Sequence, residues 1–172
     1  MTAVSHLPPI KDQLGRVIKD LRISVMDRCN FRCVYCMPED KFHPGFKFLP
    51  SKERLSFEEM LRLVNIFTKL GVHKIRITGG EPLLRVNLSE FIGDLSTLDR
   101  INDIALTTNG VLLKKYAHEL KASGLNRITV SLDSIDPDEF RLMTGDRGNL
   151  ERVLEGISEA QAAGFELSLI HI

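Results

Sequence analysis

Strand-like and helix-like segments alternate from Asp20 to Ile172, and this alternation predicts an α/β fold built on a parallel sheet. The strands add a second observation. One phase of each is apolar and the other polar, which predicts a closed or partly closed βα barrel whose lumen is lined by the polar phase. The third is that every cysteine of the chain, Cys29, Cys33 and Cys36, lies in one loop directly after the first strand. A barrel of this kind carries its active site at that end of its strands.

Taken in order, residues 1–19 read as an arm, because Pro8-Pro9 blocks regular structure and no periodicity follows. Residues 20–172 read as the barrel. Its first strand is Asp20 to Met26, and residues 38–55, with Pro38, Pro44, Gly45 and Pro50, form a long loop. A helix starts at Ser56, where the hydroxyl and Glu59 form a capping-box pattern, and runs on Phe57, Met60, Leu61, Val64 and Phe67 until Gly71. Then come strand His73 to Thr78, helix Leu88 to Leu98, strand Asp103 to Thr108 and helix Leu113 to Ala122, which stops near Gly124. Strand Arg127 to Leu132 leads to a short helical turn capped by Asp136 with Pro137 at its first position. Helix Asn149 to Ala163 and a last strand, Glu166 to Ile172, complete the chain.

The apolar phase comprises Leu21, Ile23 and Val25; Ile75 and Ile77; Ile104 and Leu106; and Ile128, Val130 and Leu132. The polar phase comprises Arg22 and Ser24; Arg76 and Thr78; Thr107 and Asn109; and Thr129, Ser131 and Asp133. Parallel sheets are ordinarily buried on both faces and read as continuous apolar runs. Polar residues on the second face of successive strands need a reason: a lumen that holds a polar ligand supplies one, and a solvent-exposed sheet face is the alternative.

Apolar residues make up 43% of the 172 and charged residues 27%, as in an ordinary soluble globular domain. Lysine plus arginine balances aspartate plus glutamate at 23 each, so nothing in the charge points to nucleic acid or to an anionic membrane surface. Met1 to Asp20 holds no long apolar run, and clustered thiols without a paired framework fit a reducing compartment, so a cytoplasmic protein is expected.

The cysteine spacing is C-x3-C-x2-C. Iron–sulfur clusters normally take four cysteines, so three leave one iron of a [4Fe-4S] cluster without a protein ligand, able to bind and activate another molecule. Two other readings stand beside it: buried structural cysteines, and a zinc-stabilised binding module in which His43 completes a Cys3His set.

The motif, with Tyr35 just before the last cysteine, resembles the signature of the radical S-adenosylmethionine (SAM) superfamily. That resemblance implies a partial TIM-like βα barrel in which Cys29, Cys33 and Cys36 hold the cluster and SAM occupies the open iron. SAM is then cleaved to a 5'-deoxyadenosyl radical. Longer stretches are similar to the GTP 3',8-cyclases of molybdenum cofactor biosynthesis, the MoaA family. They are Asp20 to Val25, Asp27 to Pro38, Arg76 to Arg85, Thr107-Thr108-Asn109-Gly110 and Val130 to Ser134. The resemblance implies that Tyr35, Gly79, Gly80, Glu81 and Ser131 contact SAM, that Arg22, Arg76 and Thr107 contact GTP, and that an electron donor serves the cluster. It assigns no catalytic side chain, and it leaves a homodimer open. Another radical SAM reaction, such as peptide modification, is the nearest alternative.

Three features depart from that family. Met26 stands where threonine is usual, Ser168 stands where a GTP-contacting lysine is usual, and the second three-cysteine cluster is missing. The expectation is a barrel truncated on its C-terminal side, with residues 167–172 not native, and unable to complete the cyclisation alone.

Overall fold

The computed structural model describes residues 10–170. Residues 1–9 of the expected arm, and His171 and Ile172 of the expected last strand, lie outside the described residues. In chain order the elements are β1 (Asp20–Ser24), α1 (Phe57–Lys69), β2 (Lys74–Thr78), α2 (Leu88–Ser96) and β3 (Asp103–Thr108). They continue as α3 (Leu113–Ala122), β4 (Arg127–Ser131), α4 (Pro137–Met143), α5 (Leu150–Ala162) and β5 (Leu167–Ile170). The strands form one parallel sheet in the order β1-β2-β3-β4-β5. Each strand therefore pairs with the next in sequence, the winding of an open βα barrel with β1 and β5 as its edges.

The helix ends follow local chemistry. The Ser56 hydroxyl accepts from the Glu59 N–H at 3.1 Å, and the Glu59 carboxylate accepts from the Ser56 N–H at 2.8 Å, closing the capping box of α1. Asp136 caps α4 by accepting from the N–H groups of Asp138 and Glu139, with Pro137 at the first helical position. Asn149 caps α5 through Arg152 N–H at 2.9 Å. Gly71, Gly124 and Gly164 follow three helices at positive φ, the conformation that lets the chain turn back into a strand.

The main differences from expectation are at the edges. The lead-in is not featureless: Lys11 and Val17 form an antiparallel bridge, and Asp12 accepts from the N–H groups of Leu14 and Arg16 inside it. Strand β1 ends at Ser24 rather than Met26, because the Met26 carbonyl turns aside to accept from Gly80 N–H. The long loop contains a 3-10 turn at Ser51–Glu53.

Register confirms the two faces. Ile75 lies beside Ile104, and Ile77 beside Leu106, which lies beside Ile128. These side chains are buried against Phe91, Ile92 and Leu95 of α2, Leu113 and Leu120 of α3 and Val153 of α5. Each such burial stabilises the fold by about 1.5–3 kcal/mol. On the other face Arg22 lies beside Arg76, Ser24 beside Thr78 and Thr107 beside Thr129. Among the described residues no helix is long and apolar enough to cross a membrane.

The cysteine loop is fastened to the end of β2 by backbone alone. Gly80 N–H donates to Met26 O at 2.6 Å and Glu81 N–H to Arg28 O at 2.7 Å. A Cβ on Gly79 would lie 2.6 Å from the Met26 carbonyl oxygen, and one on Gly80 would overlap the Arg28 carbonyl. Paired glycines are needed there for the close approach of two protein backbones.

Truncating Leu106 to alanine at the centre of the core should lower the unfolding free energy by about 2–5 kcal/mol, measured by urea denaturation. A Gly80→Ala chain should lose about 1–3 kcal/mol through overpacking. An unchanged urea midpoint would mean that the loop does not dock as described.

Candidate active site

At the C-terminal ends of the strands the cysteine loop is shaped by one buried arginine. Arg32 is 8% exposed. Its Nη1 donates to the carbonyls of Cys29 and Phe31, both at 2.8 Å, and its Nε donates to Phe42 O at 3.1 Å. Buried guanidinium is costly unless its donors are used, so these bonds hold the loop in one conformation. The loop is also paired with the segment after α4, through Arg32 N–H to Thr144 O and Val34 N–H to Met143 O, both at 3.1 Å. Cys33 O then accepts from both Cys36 N–H and Met37 N–H at 3.0 Å, turning the chain so that Cys36 is exposed.

All three cysteines are free thiols. Burial pushes the Cys29 thiol up. Burial likewise pushes Cys33 up to about 11, with the charges of Cys29 and Asp133 adding to it. The charge of Cys36 adds a smaller upward push on both. Metal coordination removes such protons outright. Among the described residues no three His, Cys, Asp or Glu side chains converge as a single metal ion requires. His43 Nδ1 accepts from Gly45 N–H at 3.1 Å within its own loop. An iron–sulfur cluster spreads its thiolate ligands over the corners of a cube and does not need that convergence. The donor set of three unpaired thiols within eight residues on one pinned loop fits such a cluster.

The other expected site residues are distributed around this loop. Tyr35 donates its hydroxyl to the Asp133 carboxylate, at 3.1 and 3.0 Å to the two oxygens, bridging the loop to the segment after β4. Burial, the Cys33 thiolate and the Asp133 carboxylate together raise its pKa. Ser131 ends β4 and is partly buried. Gly79 and Gly80 lie against the loop backbone, so the Gly80 and Glu81 N–H groups are committed to Met26 and Arg28. Glu81 is 1% exposed and faces inward. Its Oε1 accepts from Leu83 N–H at 3.0 Å and the Thr108 hydroxyl at 2.8 Å, and its Oε2 accepts from Asn109 N–H at 2.9 Å. Burial raises the pKa of this carboxyl and the three donors oppose that rise.

Arg22, Arg76 and Thr107 share the polar face, Arg22 exposed and the other two partly buried. Among the described residues neither Arg22 nor Arg76 takes part in an ion pair. Met26, the substitution on the barrel wall, is buried and its sulfur accepts from Arg54 Nη1 at 3.0 Å.

Sequence reasoning passed over three residues that shape the site. Arg32 looks in sequence like any surface arginine, and only the long-range partner Phe42 reveals it. Asp133 and Asn109 lay on the polar strand phase, a signal that could have promoted both. Asn109 is 8% exposed and its Nδ2 reaches Asn30 Oδ1 at 2.8 Å.

The chain is 53% identical over 157 residues to a GTP 3',8-cyclase of Acidothermus cellulolyticus, covering 91% of this chain and 43% of the relative. It is 51% identical over 160 residues to the enzyme of that name from Staphylococcus haemolyticus, covering 93% and 47%. The chain thus spans under half the length of these relatives. Among solved structures, methylornithine synthase superposes with a TM-score of 0.68 at 15% identity, covering 90% of this chain and 44% of that one. Streptococcus suis SuiB bound to S-adenosylmethionine gives 0.66 at 21% identity, covering 87% and 31%. At such identities these two share the fold. The family model of the radical SAM superfamily matches residues 23–172, which include all three cysteines, both glycines and every strand from Ile23 onward, and the chain belongs to that superfamily.

Proposed function

We propose that this chain is the SAM-cleaving portion of a GTP 3',8-cyclase, which converts GTP to cyclic 3',8-dihydro-GTP in molybdenum cofactor biosynthesis. The reaction is transfer of the ribose 3' hydrogen atom of GTP to the 5'-deoxyadenosyl radical, then bond formation from that carbon to guanine C8. A second electron, from a reductant outside the chain, and a proton then reduce the resulting base radical to the dihydro product. Cys29, Cys33 and Cys36 would hold a [4Fe-4S] cluster, which supplies an open iron for SAM and the electron for its reductive cleavage. The electron comes from a donor outside the chain.

The residues around the cluster take separate parts. Arg32 fixes the loop that presents the thiols, and Glu81 fixes the strand ends beside it. Gly80, Tyr35 and Ser131 border the place where SAM would lie, with the Tyr35 hydroxyl held by Asp133. Arg22, Arg76 and Thr107 face the lumen, where GTP would extend.

The observation that carries this reading is the register of Arg22 beside Arg76 on the polar face. Like charges on adjacent strands destabilise a sheet, and arginine's planar fork matches phosphate oxygens. Two adjacent guanidiniums facing a lumen suit a polyphosphate, in a chain whose curated relatives bear the name of a GTP enzyme.

Binding of radiolabelled GTP to the anaerobically reconstituted chain, measured by equilibrium dialysis, tests it. Charge-assisted hydrogen bonds contribute about 1.5–3 kcal/mol each, so Arg22→Ala and Arg76→Ala should each weaken GTP binding by about tenfold or more. Unchanged affinity in both variants would refute the substrate assignment.

A further inference from the structure

Asn109 follows β3 and its side chain is locked on both sides. Its Oδ1 accepts from Val111 N–H at 3.2 Å, while its Nδ2 donates to Asn30 Oδ1 at 2.8 Å and lies 3.8 Å from Cys29 Sγ. A backbone N–H is a donor only, so the Val111 contact fixes which way the amide faces. The NH2 group is therefore turned toward Cys29, with one hydrogen for Asn30 and one for the sulfur. The Asn109 backbone is held in turn by Glu81 Oε2 at 2.9 Å. Phe31 N–H approaches the same sulfur at 3.4 Å. Cys29 thus sits among N–H donors, whereas Cys36 is exposed.

N–H groups directed at a ligating sulfur stabilise the more negative, reduced state of an iron–sulfur cluster and so raise its reduction potential. We propose that Asn109 sets the electron affinity of the cluster through Cys29, with Glu81 holding Asn109 in place. This rests on the reading that the three cysteines hold a [4Fe-4S] cluster. Asn109 is a positioning residue in this scheme, since it acts through the ligand. The buried carboxylate of Glu81 gains a purpose beyond joining strand ends: it aims an amide.

The test is a redox titration of the reconstituted full chain followed by electron paramagnetic resonance, comparing the unmodified protein with Asn109→Asp and Asn109→Ser. Asn109→Asp keeps the size of the side chain but replaces the donor with a carboxylate, and should shift the potential to more negative values. Asn109→Ser, whose hydroxyl is too short to reach the sulfur, should shift it the same way by less. Potentials equal to that of the unmodified chain overturn the proposal. Loss of the cluster from both variants while circular dichroism shows a folded chain also overturns it, assigning Asn109 to holding the loop alone. An unmodified chain that takes up no cluster refutes the parent reading, and this appears before any variant is made.

Discussion

The buried carboxylate of Glu81 is the constraint on which the site depends. Its oxygens accept from Leu83, Thr108 and Asn109, and its own N–H donates to Arg28 in the cysteine loop. An ionised carboxylate in such surroundings is costly unless donors compensate it, so the arrangement is stable only when β2, β3 and the loop meet in one geometry. The flanking glycines remove the steric obstacle to that meeting. The packing of a sheet is thereby converted into a fixed position for three thiols.

The polar lumen face follows from the same architecture. Helices cover one face of the sheet and bury Ile77, Leu106 and Ile128 completely. The other face is free to carry side chains that a packed parallel sheet excludes. Arg22 beside Arg76 is unfavourable in isolation, and an anion between them would offset that repulsion. Site and scaffold are separable here: the apolar phase stabilises the barrel, and the polar phase is available for recognition.

Much of this was legible in the sequence because its signals are local. The Ser56 and Glu59 capping box, Pro137 after Asp136, and the alternation in Leu21 to Val25 and Ile128 to Leu132 each announce an element within a few residues. The polar phase predicted the lumen face before any register was known. What escaped depends on partners distant in sequence. Nothing near Arg32 says that its guanidinium turns inward to Phe42 O, and nothing near Gly80 names Arg28 as the group it must clear. The close protein neighbours of the two glycines, Met26 and Arg28, lie some fifty positions upstream and leave no local trace. Tyr35 was placed by resemblance alone, and its link to Asp133 spans 98 positions.

The central claim is that three thiols on a pinned loop hold a cluster with one iron left open. Anaerobic reconstitution of the chain with iron and sulfide, then electron paramagnetic resonance of the reduced protein with and without SAM, addresses it directly. The account predicts a [4Fe-4S] signal that changes when SAM is added. A zinc-loaded protein without iron or sulfide, or a cluster signal indifferent to SAM, would contradict it.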